Sequence, residues 1–192
     1  MSTEVNNNEL RLRVAIVDDH TLFRKGITEI LQQLNIDVVG ESPNGEDYML
    51  KAATISPEVV LMDIHMPGKD GIDTTRWLAK NHPQQKVIAL TMTDEDLTII
   101  RMIRAGAKGY LLKDVSPEEL NLAITEVARN NNYYGSGLPP ETINIAENGD
   151  INISSTGTEK LTARELEFLE HCCSDMSYKE IAEKMNVMIK TI

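Results

Sequence analysis

Apolar residues over the first 130 positions alternate between short unbroken runs and stretches in which they recur every three or four residues. Short runs bounded by polar or Gly/Pro positions are typical of buried strands, and the wider spacing is typical of amphipathic helices. Five strands are predicted in this way: Leu12–Val17, Asp37–Ser42, Val59–Asp63, Val87–Leu90 and Tyr110–Leu112. A helical stretch follows each strand, so the sequence predicts an α/β fold with a five-stranded, doubly wound parallel sheet.

The stretch Val59–Gly71, with the sequence VVLMDIHMPGKDG, is the centre of this pattern. Four apolar residues lead without a break into one carboxylate, Asp63, and Pro67-Gly68 then marks a turn. Asp63 is therefore expected at the edge of the sheet where open α/β folds place their sites. Taken alone, Asp63 also fits a helix cap or a turn residue.

The pattern changes after residue 133. Residues 134–158 are rich in Asn, Ser, Thr, Gly and Pro without a regular period, so they are predicted to form a linker. Beyond them the sequence predicts helices only, with capping boxes at Thr162–Glu165 and Ser177–Glu180. We expect this small all-α part to be incomplete, because the chain stops at Ile192 as a third helix begins. The expected domains are 1–133, 134–158 and 159–192.

Composition excludes several classes of protein. The hydrophobic fraction of 41% is sufficient for a buried core, and no run approaches the roughly 18 apolar residues of a membrane span. The N-terminus lacks the apolar block of a secretory signal. The two cysteines, Cys172 and Cys173, are adjacent and are expected to be reduced in a cytoplasmic protein. The net charge of −11 argues against a chain that binds nucleic acid along its whole length.

Chemically useful side chains follow four of the predicted strands. They are Asp18 and Asp19, Asp63, Thr91 and Lys113. Because the carboxyl ends of parallel strands meet at one edge of the sheet, these groups are expected to converge. Three close carboxylates repel one another unless a cation lies between them, and oxygen ligands at an open site suit Mg²⁺. A lysine and a hydroxyl beside them suit a phosphoryl group, so the pattern predicts phosphoryl transfer onto a carboxylate.

The segments VAIVDDH, LMDIHMPGKDG, IALT and GYLLKD, in this order and spacing, resemble the receiver domain of two-component response regulators. The resemblance covers about residues 12–130 and implies a flavodoxin-like strand order, 2-1-3-4-5. It also implies that Asp63 accepts a phosphoryl group from the phosphohistidine of a sensor histidine kinase. Mg²⁺ would be held by Asp19, Asp63 and the backbone carbonyl of His65, with Asp18 helping through water.

The same resemblance implies a two-state switch that phosphate biases. Lys113 would pair with the phosphoryl group, Thr91 would donate its hydroxyl to it, and Tyr110 would turn inward behind Thr91. The alternative for Tyr110 is a half-buried strand aromatic, and His20 is interpreted as a surface residue beside the site. A partner, or a second copy in a homodimer formed on phosphorylation, is expected on one face. That face carries Leu97–Ala105, Tyr110–Leu112 and Pro117–Asn130.

The C-terminal segments LTARE, KEIAE and KTI resemble a LuxR-type helix-turn-helix of the NarL/FixJ branch. Met188 stands where that family usually has a serine cap, and the chain ends as the recognition helix begins. Residues 159–192 hold five basic and seven acidic side chains, a net charge of −2 rather than a basic patch. We expect a transcription regulator whose full-length form binds DNA, with weak or absent specific DNA binding by these 192 residues.

Two other functions fit parts of the pattern. A receiver that acts through protein contacts alone, as a phosphate sink or dimerisation module, follows if the stop after Ile192 is natural. A phosphatase of the haloacid-dehalogenase type uses similar groups, but it places its nucleophile in a D-x-D motif after the first strand, where this chain has Asp18-Asp19-His20. The favoured interpretation is a cytoplasmic signalling protein that assists its own phosphorylation and dephosphorylation and has no membrane partner.

Overall fold

The computed structural model describes residues 11–92, 95–135 and 137–148, together with Lys184. Within this part of the chain the strands are β1 Arg13–Val17, β2 Asp37–Ser42, β3 Val59–Met62, β4 Lys86–Thr91, β5 Gly109–Leu112 and β6 Tyr133–Tyr134. The helices are α1 Thr21–Gln33, α2 Gly45–Ile55, α3 Gly71–Asn81, α4 Asp96–Arg104, α5 Pro117–Ala128 and α6 Pro140–Asn148. The strands form one parallel sheet in the order β2-β1-β3-β4-β5-β6, which confirms the predicted parallel fold and extends it by one strand.

Hydrophobic cores lie on both faces of the sheet. All four residues of β3 are buried, and they divide alternately between the two cores. Val60 and Met62 pack with the cluster that includes residues of α2, α3 and α4, whereas Val59 and Leu61 pack with the cluster that includes residues of α1 and α5. This alternation follows from the two-residue period of a strand, and burial on both faces explains why β3 is an unbroken apolar run.

Side-chain caps fix where three of the helices begin. Asn44 accepts a hydrogen bond from the backbone N–H of Asp47 at the start of α2, at 2.9 Å. Ser116 accepts from the Glu119 N–H at the start of α5, where Pro117 occupies the first turn. Asp70 caps α3 in the same way. These caps satisfy N–H groups that have no partner within the helix.

Two features of the described residues differ from the sequence prediction. Tyr133–Tyr134 pair in parallel with Gly109 and Tyr110 of β5, so the sheet has a sixth, two-residue strand. Residues 140–148, within the predicted linker, form α6 and pack against α4. No helix in the described ranges has the length and apolar content that crossing a membrane requires.

The Pro139-Pro140 pair explains why α6 was not predicted. A Pro-Pro pair in a polar stretch predicts a break, but proline is also favoured at the first position of a helix, because the missing N–H has no partner there in any case. The apolar content of α6 is modest, and Thr142 and Ala146 are buried only because α4 lies beside them. Residues 149–158 of the predicted linker and nearly all of 159–192 lie outside the described residues, so the domain boundaries remain predictions.

Gly71 provides a test of how tightly the Asp63 loop is packed. A Cβ atom at Gly71 would lie 2.1 Å from the backbone oxygen of Asp63, which cannot give way without moving the loop. We predict that Gly71→Ala lowers the free energy of unfolding by about 2–3 kcal/mol in urea denaturation. Gly26 in α1 is the matched control, because a Cβ there meets nothing within 4 Å. Gly26→Ala should stabilise the protein by about 0.5–1 kcal/mol, and equal effects of the two substitutions would contradict the packing argument.

Candidate functional site

The carboxyl ends of β1, β3 and β5 bring three of the predicted site residues into direct contact. Lys113 Nζ lies 2.6 Å from Asp18 Oδ2 and 2.8 Å from Asp63 Oδ2. The three side chains are only 3–6% exposed. Strand β5 lies two strands away from β3, a distance of about 10 Å, so only a long side chain such as lysine can reach across the end of β4. The predicted convergence therefore depends on the strand order.

Backbone hydrogen bonds hold the two aspartates in place. The N–H of Asp63 donates to the Val17 carbonyl at 2.8 Å, which ties the end of β3 to the end of β1. The Ile64 N–H donates to Asp63 Oδ1 at 2.8 Å, and Asp63 Oδ2 accepts from Lys113. The Asp63 carboxylate is thus oriented through both of its oxygens.

The predicted switch residues lie in the same part of the sheet. Thr91 is the last residue of β4 and is fully buried, and its carbonyl accepts a hydrogen bond from the Lys113 N–H at 2.8 Å. Tyr110 in β5 is also fully buried, so the alternative of a half-buried aromatic is wrong. Their movement on phosphorylation remains a prediction.

His20 lies on the acidic cluster. Its Nδ1 is 2.9 Å from Asp19 Oδ1, 3.2 Å from Asp18 Oδ1 and 4.0 Å from Asp63 Oδ2, while the ring remains 66% exposed. His20 is therefore beside the site, as expected, but its contact with the carboxylates was not predicted. The His65 side chain is exposed, and the predicted role of its backbone carbonyl remains a prediction.

These residues fit a hard divalent cation. Asp18, Asp19, His20 and Asp63 each offer a ligand atom, and these atoms lie within 4.8 Å of one another. Among the described residues, no hydrogen bond of good geometry reaches the buried Oδ1 of Asp19, despite the nearby His20. A buried carboxylate oxygen without a donor suits a metal ligand, and oxygen-rich sites favour Mg²⁺.

Sequence reasoning missed two residues of α1 that support the site. The Phe23 ring centroid lies 4.7 Å from Lys113 Nζ, a distance at which the ring face attracts a cation. The Arg24 guanidinium donates to the backbone carbonyl of Asp18. Both residues lie in the first turn of α1, directly after the acidic pair, and that position was the only signal in the sequence.

Burial and neighbouring charges shift the pKa values of Asp63 and Lys113. Burial raises the pKa of Asp63 above its ordinary range and nearby Asp18 adds to the rise, although Lys113 and the Ile64 N–H partly oppose it. Burial lowers the pKa of Lys113, but its bonds to Asp18 and Asp63 outweigh burial, so the pKa of this ammonium is raised overall. Lys113 therefore stays charged and neutralises negative charge beside the Asp63 carboxylate.

Known proteins are similar to this chain in sequence and in fold. Residues 14–125 match the response regulator receiver domain family. The oxygen regulatory protein NreC of Staphylococcus aureus (strain bovine RF122 / ET3-1) is 35% identical over 186 residues, which cover 94% of this chain and 86% of NreC.

Two solved structures are similar as well. A two-component response regulator of the LuxR family from Aurantimonas sp. SI85-9A1 has a TM-score of 0.61 and 28% identity, covering 69% of this chain and 93% of its own. The signal receiver domain of NarL from Mycobacterium tuberculosis has a TM-score of 0.61 and 30% identity, covering 63% of this chain and 98% of its own. Since the receiver match and the NreC identity together extend over nearly the whole sequence, the chain belongs to the two-component response regulators of the NarL/FixJ type.

Proposed function

We propose that Asp63 is the phosphoryl acceptor of this signalling protein and that a sensor histidine kinase supplies the phosphoryl group. The observation that carries the proposal is the buried Asp63 carboxylate at the end of β3, with Lys113 Nζ 2.8 Å from its Oδ2. Membership of the response regulators supports the kinase as partner. A carboxylate held through both oxygens next to a fixed positive charge is oriented for attack on phosphorus.

Phosphoryl transfer in this proposal is a single displacement. A carboxylate oxygen of Asp63 attacks the phosphorus of a phosphohistidine, the new P–O bond forms, and the P–N bond breaks with its electron pair returning to the imidazole. Lys113 balances the charge on the phosphoryl oxygens, and Thr91 donates its hydroxyl to one of them. The same residues assist the later hydrolysis of the acyl phosphate by water, so the protein acts on itself.

Asp18, Asp19, Asp63 and the backbone carbonyl of His65 would hold Mg²⁺ in this proposal. The ion would supply positive charge that offsets the carboxylates and the phosphoryl oxygens during transfer. Arg24 keeps the acidic loop in position through the Asp18 carbonyl. His20, with its ring against the carboxylates, forms the solvent side of the site.

Phosphorylation controls transcription in this proposal, through DNA binding by the full-length protein in the cytoplasm. The LuxR-type segments of residues 159–192 support this role, although they lie outside the described residues. The similarity to NreC extends well beyond the receiver domain, so a receiver that acts through protein contacts alone is not favoured. A homodimer formed on phosphorylation remains part of the proposal.

Intact-mass spectrometry tests the acceptor. After incubation with Mg²⁺ and a small phosphodonor, the wild-type chain should gain one phosphoryl group, and Asp63→Asn should gain none because it lacks the carboxylate nucleophile. Asp73→Asn is the matched control, because Asp73 lies on the surface of α3 in an ion pair with Arg76. This control should be modified like the wild type. A phosphoryl group on the Asp63→Asn protein would refute the assignment.

Replacing Lys113 tests how much its positive charge stabilises the buried carboxylates. Lys113→Met leaves the buried carboxylates of Asp18 and Asp63 without their cation, which should lower the free energy of unfolding by about 3–5 kcal/mol at neutral pH. Adding Asp63→Asn to this variant should restore part of the loss, as measured by urea denaturation. The exposed Lys108 serves as control, and Lys108→Met should change stability by no more than about 0.5 kcal/mol. If Lys113→Met and Lys108→Met lowered the free energy of unfolding equally, the buried ion pairs of Lys113 would be excluded as the cause.

The raised pKa of Asp63 predicts a pH-dependent stability difference. Folded Asp63 keeps its proton at pH values above 3.8, where the unfolded chain has already lost it, so its contribution to stability falls as pH rises through the folded pKa. Asp63→Asn removes this ionisation. The Tm of this variant minus that of the wild type should therefore grow as pH is raised from about 4 to 7, whereas Asp73→Asn should show no such growth. A Tm difference between Asp63→Asn and the wild type that does not change with pH would contradict a raised pKa for Asp63.

A further inference from the structure

Helix capping does not explain the position of the His20 side chain. His20 is the N-cap of α1, where Ser, Thr, Asp and Asn are preferred because their side chains accept from the first N–H groups of a helix. Within the described residues the His20 side chain makes no capping hydrogen bond, and its ring lies instead against the carboxylates that follow β1 and β3. The ring is therefore placed for an interaction on the carboxylate side.

Backbone hydrogen bonds hold His20 in this position. Its N–H donates to Asp18 Oδ1 at 2.8 Å, and its carbonyl accepts from the Arg24 N–H at 3.0 Å. One bond ties His20 to the acidic cluster and the other ties it to the first turn of α1. The ring is mostly exposed, but it is attached to a backbone that is fixed relative to the carboxylates.

The distances from His20 Nδ1 are those expected between ligands of one metal ion. Ligand atoms at about 2.1 Å from an octahedral ion lie about 3.0 Å apart at right angles and about 4.2 Å apart on opposite sides. Nδ1 lies 2.9 Å from Asp19 Oδ1, 3.2 Å from Asp18 Oδ1 and 4.0 Å from Asp63 Oδ2. One Nδ1–H group cannot donate well to all three oxygens, whereas one cation can contact them together with a ring nitrogen.

Lys113 leaves the His20 side of the cluster to such a cation. Asp18 uses Oδ2 for Lys113, at 2.6 Å, and presents Oδ1 to His20. Asp19 Oδ1, the oxygen nearest to Nδ1, is buried and receives no hydrogen bond of good geometry from the described residues. A cation on this side would therefore meet oxygens that Lys113 does not contact.

A nitrogen ligand changes which cation such a site prefers. Mg²⁺ favours oxygen ligands and keeps several of its waters, so a nearby imidazole adds little to its binding. Imidazole nitrogen suits divalent transition-metal ions such as Fe²⁺ and Ni²⁺, which bind a mixed nitrogen and oxygen site more tightly. Carboxylates alone would suit Mg²⁺, and His20 is the group on the page that departs from that set.

We propose that His20 Nδ1 is a further ligand of the cation at this site, so that the site favours a divalent transition-metal ion such as Fe²⁺ over Mg²⁺. The imidazole binds as the neutral tautomer that carries its proton on Nε2. The presence of a cation rests on the proposed function, whereas its preference rests on His20.

Isothermal titration calorimetry of the full chain measures this preference, with Co²⁺ as an air-stable probe and Mg²⁺ as the comparison. His20→Phe keeps a planar ring but lacks the nitrogen, so the ratio of the Mg²⁺ Kd to the Co²⁺ Kd should fall by about tenfold or more. His20→Asn offers an amide oxygen instead of the nitrogen, so it should bind Mg²⁺ without recovering the ratio of the wild type.

His82 provides the matched control. It follows α3 and lies just before β4, at the amino ends of the strands and thus at the edge of the sheet opposite to the acidic cluster. Its ring packs against Trp77, and phenylalanine retains a ring there. His82→Phe should therefore show the same ratio of Kd values as the wild type.

Proton NMR of the Co²⁺-loaded chain distinguishes a ligand from a mere neighbour. A histidine bound through Nδ1 keeps its Nε2–H, and the paramagnetic ion shifts this exchangeable resonance far outside the ordinary range. The wild type and His82→Phe should show the resonance, and His20→Phe should lack it.

The possible failures are distinguishable. Co²⁺ binding without the shifted resonance overturns the His20 ligand and leaves the proposed function intact, as does a ratio of Kd values that both His20 variants leave unchanged. A wild-type chain that binds neither Mg²⁺ nor Co²⁺ contradicts the metal site of the proposed function and removes the His20 ligand with it.

Discussion

The site is organised by one buried positive charge between two buried negative ones. Asp18 and Asp63 end neighbouring strands, and without a cation their carboxylates would repel each other in a place that water hardly reaches. Lys113 resolves this repulsion only because β5 lies two strands from β3 and its side chain extends over the end of β4. Strand order, cap positions and the close approach of Gly71 to the Asp63 backbone all maintain this geometry. The ion pairs of Lys113 with Asp18 and Asp63 are therefore the interaction on which the geometry of this sheet edge depends.

The balance between the charges of Asp18, Asp63 and Lys113 changes when further charge is added to the site. The phosphoryl group proposed on Asp63 would add negative charge beside Lys113 and change this balance. Lys113 is joined through its backbone N–H to the carbonyl of Thr91, and Thr91 leads into α4 within five residues. The same ends of β4 and β5 that assemble the site thus also lead into α4 and α5. Signalling in this fold follows from chain connectivity as much as from side-chain chemistry.

Helix α6 shows how a segment with weak local preference acquires structure from its surroundings. The Pro139-Pro140 pair at its start and its modest apolar content predict a linker, and Arg104 and the core around Ala146 convert that linker into a docked helix. A helix of nine residues is not stable alone in water, so α6 depends on α4 for its structure.

The sequence alone determined the parallel α/β fold and the strand ends that carry Asp18, Asp19, Asp63, Thr91 and Lys113. These features are local, because an apolar run and the polar residue that follows it are read within a few consecutive residues. The tertiary structure decided the His20 contact with the carboxylates, the Phe23 ring beside Lys113, the strand β6 and the docked helix α6. Each of these depends on residues that are distant in sequence or on a side-chain orientation set by packing, and no local pattern records such a distance.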